Sequence, residues 1–105
     1  MPDAPFNARR HHIREDRSLL LDYLNSTYPA GLIEQDLLDV MLDLPDPVEG
    51  DLVKRDLGYL DARGLIEKRI LPHPTRKAKV VRWYLTADGV SFIERDKPWS
   101  SLEGS

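Results

Sequence analysis

The sequence predicts an α+β domain in which three helices are followed by a two-stranded β-hairpin and a short last helix. Three observations favour this class. Apolar residues recur at helical spacing in three successive segments. Two later segments alternate apolar and polar side chains, and a polar loop rich in basic residues separates them. The chain has 105 residues, of which 41% are hydrophobic and 31% are charged, so it has room for one small domain with a modest core.

The first helix is predicted to begin near Arg9 and to end before Pro29, because the residue before a proline disfavours the helical conformation. Residues 1 to 8 show no apolar period and contain two prolines, so we expect a loose tail there. Leu19 and Tyr23 lie beside the apolar stripe and are candidates for covering a neighbouring element or a second chain. The stripe itself consists of Ile13, Leu20, Leu21 and Leu24.

A very short strand is expected at Leu32 and Ile33, and a second helix is expected over residues 33 to 43. The inward-facing residues of this helix are Ile33, Leu37, Met41 and Leu44. Its outward-facing residues are Glu34, Gln35, Asp36 and Asp39. The second helix is therefore expected to present an acidic face to its surroundings.

Residues 46 to 65 carry the start and stop signals of one complete helix. Asp46 can accept hydrogen bonds from the first-turn amides, Pro47 suits the first helical position, and Glu49 can complete a capping box with Asp46. Gly64 can adopt the left-handed conformation that ends a helix. The apolar stripe of this third helix consists of Val48, Leu52, Val53, Leu57 and Leu60. The residues that fall elsewhere on the helix are Asp51, Lys54, Arg55, Gly58 and Asp61.

Residues 65 to 71 and 80 to 86 are predicted to pair as the strands of a hairpin, joined by the basic loop of residues 72 to 79. In the first strand, Ile66 and Ile70 share one side, and Glu67 and Arg69 share the other. In the second strand, the residues expected to face the core are Val81, Trp83 and Leu85.

Thr86 is predicted to cap a last short helix that turns Val90 and Ile93 towards the core. These elements place the domain at residues 9 to 96 and leave residues 97 to 105 as a second tail.

The net charge of −3 is unevenly distributed along the chain. Residues 18 to 45 contain five acidic residues and no Lys or Arg, whereas residues 65 to 86 contain six basic residues and one acidic residue. A partner rich in phosphate would be repelled by the first segment and attracted by the second.

The residue pattern gives little support to a catalytic, metal-binding or membrane-spanning role. His11, His12 and His73 have no partners at metal-ligand spacing and are expected to be solvated. The serines lack a nucleophile-elbow context, and the carboxylates are expected on helix exteriors. The absence of Cys excludes disulfides and thiolate metal sites and is compatible with a cytoplasmic location, and no apolar run of eighteen residues occurs. We therefore expect neither an enzyme nor a cofactor.

The order of elements and several local motifs resemble the winged-helix variant of the helix-turn-helix domain over residues 9 to 95. The residues that carry this resemblance are Val53, Asp56-Leu57, Leu60, Gly64-Leu65-Ile66, Leu85-Thr86 and Gly89. A narrower resemblance links Arg14-Glu15-Asp16-Arg17 to the opening of small winged-helix proteins encoded in phage and prophage genomes.

The resemblance implies a transcriptional regulator whose third helix enters the DNA major groove and whose hairpin, the wing, contacts the backbone or minor groove. Because Glu49 and Asp51 occupy the leading turns of that helix, where phosphate would repel them, we expect the basic wing to dominate. The residues expected to contact duplex DNA are Lys54, Arg55, Tyr59, Arg69, Arg76, Lys77, Lys79 and Arg82. A homodimer is also expected, with its contact at Leu19 and Tyr23, residues 9 to 17 or the last helix.

Other interpretations of the same residues remain open. Lys54 and Arg55 can form surface ion pairs with Asp51 and Asp56, and the basic hairpin can serve solubility and protection of the sheet edge. The alternative function is a protein-interaction module whose acidic second helix faces a basic partner. The acidic residues concerned are Glu34, Asp36, Asp39 and Asp43.

Overall fold

The computed structural model describes residues 3 to 95, and for residues 3 to 12 it describes the backbone alone. Within this part of the chain the fold is α+β, as the sequence predicts, with four helices and one antiparallel sheet of three strands rather than a two-stranded hairpin alone. In chain order the elements are α1 (Asp3–Ser26), β1 (Leu32–Ile33), α2 (Glu34–Leu42), α3 (Gly50–Ala62), β2 (Ile66–Pro72), β3 (Lys79–Leu85) and α4 (Ala87–Glu94).

The central strand of the sheet is β3, which pairs with β2 on one edge and with the short β1 on the other. The hairpin register runs from Ile66 opposite Leu85 to Pro72 opposite Lys79. On the other edge, Leu32 lies opposite Trp83. The hairpin and the predicted short strand therefore belong to one sheet.

Strand β2 continues through Pro72, one residue beyond the predicted end of the strand. Backbone hydrogen bonds join Thr86 N–H to Leu65 O at 3.0 Å and His73 N–H to Ala78 O at 2.9 Å. Since hydrogen-bonded and non-hydrogen-bonded pairs alternate in an antiparallel ladder, Pro72 falls in a non-hydrogen-bonded pair. Its missing N–H is on the outer edge of the sheet, so a proline is tolerated there.

The hydrophobic core lies between helices α1, α2 and α3 and one face of the sheet. The predicted helical stripes supply its completely buried members, which include Leu20, Leu24, Leu37, Met41, Val53, Leu57 and Leu60. The sheet adds Ile66, Trp83 and Leu85. Ile70 shares a face with Ile66 but is 59% exposed, because the hairpin extends past the core. In α4 the buried residues are Gly89 and Phe92, and the predicted Val90 and Ile93 are half-buried against the core.

The first helix begins earlier than the sequence analysis placed it. Its backbone is helical from Asp3 rather than from about Arg9, so most of the predicted tail at residues 1 to 8 continues the helix. Pro5 is compatible with this start, because amides in the first turn of a helix have no intrahelical acceptor. The predicted C-terminal tail at residues 97 to 105 lies outside the described residues.

The start of α3 also differs from the prediction, because the helix begins at Gly50 and its N-cap is Glu49. The predicted capping box between Asp46 and Glu49 is wrong, since the side chain of the N-cap makes no capping hydrogen bond. Val48 explains the difference. Its side chain is buried and its N–H donates to Met41 O at 3.0 Å, so the backbone stays extended until Glu49. At the other end Gly64 has the predicted left-handed conformation, with φ of 75°.

Two further residues of α1 follow one of the two roles predicted for them, that of covering a neighbouring part of the same chain. Leu19 and Tyr23 are half-buried and pack against the core of their own chain. No helix in the described part of the chain is both long enough and apolar enough to cross a membrane.

Candidate nucleic-acid interface

The loop that joins β2 to β3 presents three cationic side chains to solvent. We call residues 73 to 79 the hairpin tip. Arg76, Lys77 and Lys79 are all exposed there, and none of the salt bridges among the described residues involves them. Because none of these charges is paired with a carboxylate among the described residues, the hairpin tip is a site of concentrated positive charge that a polyanion can approach.

His73 orders the hairpin tip from within. Its ring atom Nδ1 accepts hydrogen bonds from the backbone N–H groups of Thr75 and Arg76, each at 3.1 Å. The His73 N–H closes the loop on Ala78 O. His73 is half-buried and engaged within the loop, whereas the sequence analysis expected only a solvated side chain, and His11 and His12 lie outside the residues whose side chains are described. The sequence contains one indication of the His73 contact. His73 precedes Thr75 and Arg76 by two and three residues, and side-chain acceptors in turns often bind amides at those distances along the chain.

Arg82, one of the predicted DNA-binding residues, is directed to a neighbouring turn. Its Nε–H donates to Ala30 O at 2.8 Å and its Nη2 donates to Gly31 O at 3.4 Å. These bonds hold the turn between α1 and β1 against the sheet. The guanidinium of Arg82 is therefore a structural contact between two parts of the chain.

Arg69 contacts the side chains of Glu67 and Tyr84 on the exposed surface of the hairpin. Its Nη2 lies 3.0 Å from Glu67 Oε1, and its guanidinium carbon lies 4.6 Å from the centre of the Tyr84 ring. Both charged side chains are at least half exposed, so water screens the pair and its contribution to stability is small. A phosphate could compete with Glu67 for this arginine.

Lys54 and Arg55 lie on the exposed face of α3, as predicted. Arg55 Nη2 approaches Asp56 Oδ1 at 3.5 Å, which supports the ion-pair interpretation for this residue. None of the salt bridges among the described residues involves Lys54 or Asp51. Of the two cations on α3, Lys54 is therefore the one without an ion pair among the described residues.

Tyr59 is not placed to offer its hydroxyl to a partner. The guanidinium carbons of Arg17 and Arg63 lie over the ring, at 3.5 Å and 4.4 Å from its centre. The hydroxyl is buried and has no hydrogen-bond partner among the described residues. We therefore assign Tyr59 to the contact between α1 and α3.

Asp56 corrects the expectation that all carboxylates lie on helix exteriors. Its side chain is fully buried, and Arg17 Nε lies 3.1 Å from its Oδ1. The spacing could have indicated this, because Asp56 falls among Val53, Leu57 and Leu60 on the buried stripe. Asp16 is buried as well, so the Arg14–Arg17 tetrapeptide contributes to the interior of the fold.

A groove of about 360 Å³ separates the hairpin tip from the first turn of α2. Its lining includes His73, Arg76 and Lys79 from the hairpin and Glu34 and Gln35 from α2. Glu34 was predicted to face outward, but it is half-buried and its Oε1 accepts a hydrogen bond from Trp83 Nε1 at 3.2 Å. The basic tip and the acidic helix are thus neighbours.

In the part of the chain whose side chains are described, no group of three or more His, Asp or Glu residues is placed to hold a metal ion. Comparison with models of protein families, with curated proteins and with solved structures finds no match to this chain.

Proposed function

We propose that this chain is a winged-helix protein that binds duplex DNA chiefly through its basic hairpin, the wing. The observation that carries the proposal is the hairpin tip, where Arg76, Lys77 and Lys79 are exposed without a described ion-pair partner on an internally bonded loop. Cations at fixed positions suit the phosphates of a duplex, whose neutralisation dominates DNA affinity. The element order, with a hairpin directly after α3, supports the winged-helix assignment.

The charges of α3 support a secondary role for this helix. Glu49 and Asp51 are exposed at its start, and both would face phosphate repulsion. Lys54 follows one turn later and is available for a phosphate or base contact. Arg69 joins the contact by exchanging Glu67 for a phosphate. Arg82 and Tyr59 do not contact DNA in this proposal, because both are engaged within the fold.

The test is fluorescence anisotropy with a random duplex over a series of salt concentrations. Each lost phosphate contact should lower the slope of log affinity against log salt by about 0.9. Arg76→Ala should therefore reduce the slope by about one. Arg95→Ala is the matched control, because Arg95 is an exposed arginine at the end of α4, outside the hairpin. Equal slopes for the two variants, or no salt-dependent binding by the unmodified protein, would contradict the proposal.

The same proposal makes the protein a transcriptional regulator of the small phage-encoded type, acting as a homodimer on two half-sites. The resemblance of residues 14 to 17 to such proteins supports this assignment. Light scattering tests the dimer directly, since a mass equal to one chain at micromolar concentration would contradict it. Because Leu19 and Tyr23 pack on their own core, the contact is expected elsewhere, in residues 9 to 17 or on α4.

One observation favours the alternative of a protein-interaction module. Val40 is 37% exposed and Leu42 is 57% exposed on the otherwise acidic α2. Apolar groups beside Asp36, Asp39 and Asp43 suit a basic amphipathic partner. Under this alternative the duplex gives a flat anisotropy signal at low salt. A labelled peptide rich in lysine and leucine would bind instead, and Leu42→Ser would weaken that binding.

A further inference from the structure

The hydrogen bonds at the hairpin tip require one protonation state of His73. The backbone nitrogens of Thr75 and Arg76 each lie 3.1 Å from Nδ1. A backbone N–H group can only donate a hydrogen bond. Nδ1 must therefore be the unprotonated acceptor, and the ring proton of the neutral imidazole must be on Nε2. Thr75 Oγ1, at 3.3 Å, completes the set of groups around the same nitrogen.

The atom that holds the loop is consequently the atom that would take up a second proton. With Nε2 already protonated, an imidazole can gain a proton only at Nδ1. The resulting N–H would face two backbone N–H groups, so both bonds to the loop would be lost. Imidazole is the side chain whose charge is most readily changed by pH near neutrality, so pH is the variable that tests this arrangement.

The charged groups around His73 come from two elements. Arg76, Lys77 and Lys79 belong to the hairpin tip, and Arg76 and Lys79 line the groove beside the imidazole. Glu34 faces the same groove from α2, with Oε1 held by the Trp83 indole. Both kinds of charge therefore face the imidazole across this groove.

We propose that His73 is a pH-sensitive latch that orders the hairpin tip when neutral and releases it when protonated. In the neutral state the imidazole holds the backbone of Thr75 and Arg76, so the cations of the tip project from an ordered loop. In the protonated state the loop loses its internal acceptor, and these cations are no longer pre-positioned. The consequence for DNA rests on the proposed function, but the state of the loop does not.

The loop is tested first, without DNA, by NMR on the full chain at pH 8 and pH 5. Long-range proton–nitrogen correlation at pH 8 should show His73 with an unprotonated Nδ1. The heteronuclear NOE of the Thr75 and Arg76 amides should match that of β3 at pH 8 and fall clearly below it at pH 5. A protonated Nδ1 at pH 8, or an unchanged NOE at pH 5, would overturn the proposal.

His73→Asn is the matched control, because an Asn side-chain oxygen can accept from an amide two residues further along and does not titrate. This variant should keep an ordered loop at both pH values, and His73→Ala should have a mobile loop at both. A fall in the NOE of His73→Asn equal to that of the unmodified protein would overturn the latch.

The DNA measurement is a separate arm at pH 8, where neither variant adds a charge. His73→Ala should bind the random duplex several-fold more weakly than His73→Asn, because fixing the backbone of a residue costs about 1 to 2 kcal/mol, which corresponds to about tenfold in affinity. Equal affinities would show that the latch does not serve binding and would overturn its proposed role. No duplex binding by any of the proteins would contradict the proposed function, and the NMR result would then decide the latch alone.

Discussion

At the scale of single residues, Arg17 makes the contact on which the packing of α1 against α3 depends. Asp56 is completely buried, and Arg17 Nε at 3.1 Å supplies its compensating charge. The same guanidinium covers the Tyr59 ring at 3.5 Å. A buried carboxylate without a cation is costly, whereas replacing both charges with apolar groups can be nearly neutral. We therefore expect the pair to favour one alignment of the two helices while contributing little net stability.

Arg17→Leu is expected to lower the free energy of unfolding by about 3 kcal/mol, because it leaves the buried carboxylate of Asp56 with only the half-exposed Arg55, 3.5 Å away, as a cationic neighbour. The double variant Arg17→Leu with Asp56→Leu should regain most of that loss. Urea denaturation followed by far-ultraviolet circular dichroism measures both. Additive losses in the double variant would show that the two side chains do not act as a pair.

The sequence predicts which cations are exposed at the hairpin tip. It does not predict that Arg82 and Tyr59, the other expected DNA contacts, bind to other parts of the same chain. Alternation and loop composition place Arg76, Lys77 and Lys79 at the end of a ribbon. Arg82 binds Ala30, which is 52 residues away in sequence, so only the folded chain shows that its charge is engaged. Tyr59 is likewise enclosed by an arginine from another helix.

At the scale of elements, the sequence predicts the helices and strands well where periodicity determines them and poorly where a tertiary contact moves a boundary. The stripe of α2 and the hairpin are where the pattern places them. The cap of α3 is wrong because Val48 inserts into the core and delays the helix until Gly50. A local signal such as Asp46 followed by Pro47 carries no information about that long-range packing.

Helix α4 is the element whose start is best defined by one side chain. Thr86 Oγ1 accepts a hydrogen bond from Gly89 N–H at 3.0 Å and donates to Gly64 O at 2.6 Å. It therefore caps α4 and ties that helix to the turn after α3. Gly89 approaches the backbone of Leu65 so closely that a β-carbon would collide with it, which keeps the helix against the sheet.

Thr86→Ala should lower the free energy of unfolding by about 1 to 2 kcal/mol, since it removes an N-cap together with a second hydrogen bond. Thr86→Ser keeps the hydroxyl and should retain most of the stability. Thermal and urea unfolding provide the measurement. Equal losses in the two variants would assign the effect to the methyl group rather than to the hydroxyl.

At the scale of the whole molecule, the charges of opposite sign are close together rather than on separate ends. The first turn of α2 and the hairpin tip line the same groove, so the acidic residues nearest that turn lie close to the proposed DNA contact. Asp36 is exposed in this turn, whereas Asp43 is exposed at the C-cap of the same helix. Seven residues of helix separate them by about 10 Å along the axis.

This arrangement predicts a graded effect of removing acidic charge from α2. Asp36→Asn should raise duplex affinity by about twofold or more at low salt, because a like charge near the bound phosphates is removed. Asp43→Asn should raise it less, since 10 Å is about one screening length at 0.1 M salt. Anisotropy titrations at 50 and 300 mM salt test this, and the difference should shrink at the higher concentration. Equal gains from the two variants would place the DNA away from the groove, and a loss of affinity in Asp36→Asn would mean that this carboxylate contacts the duplex.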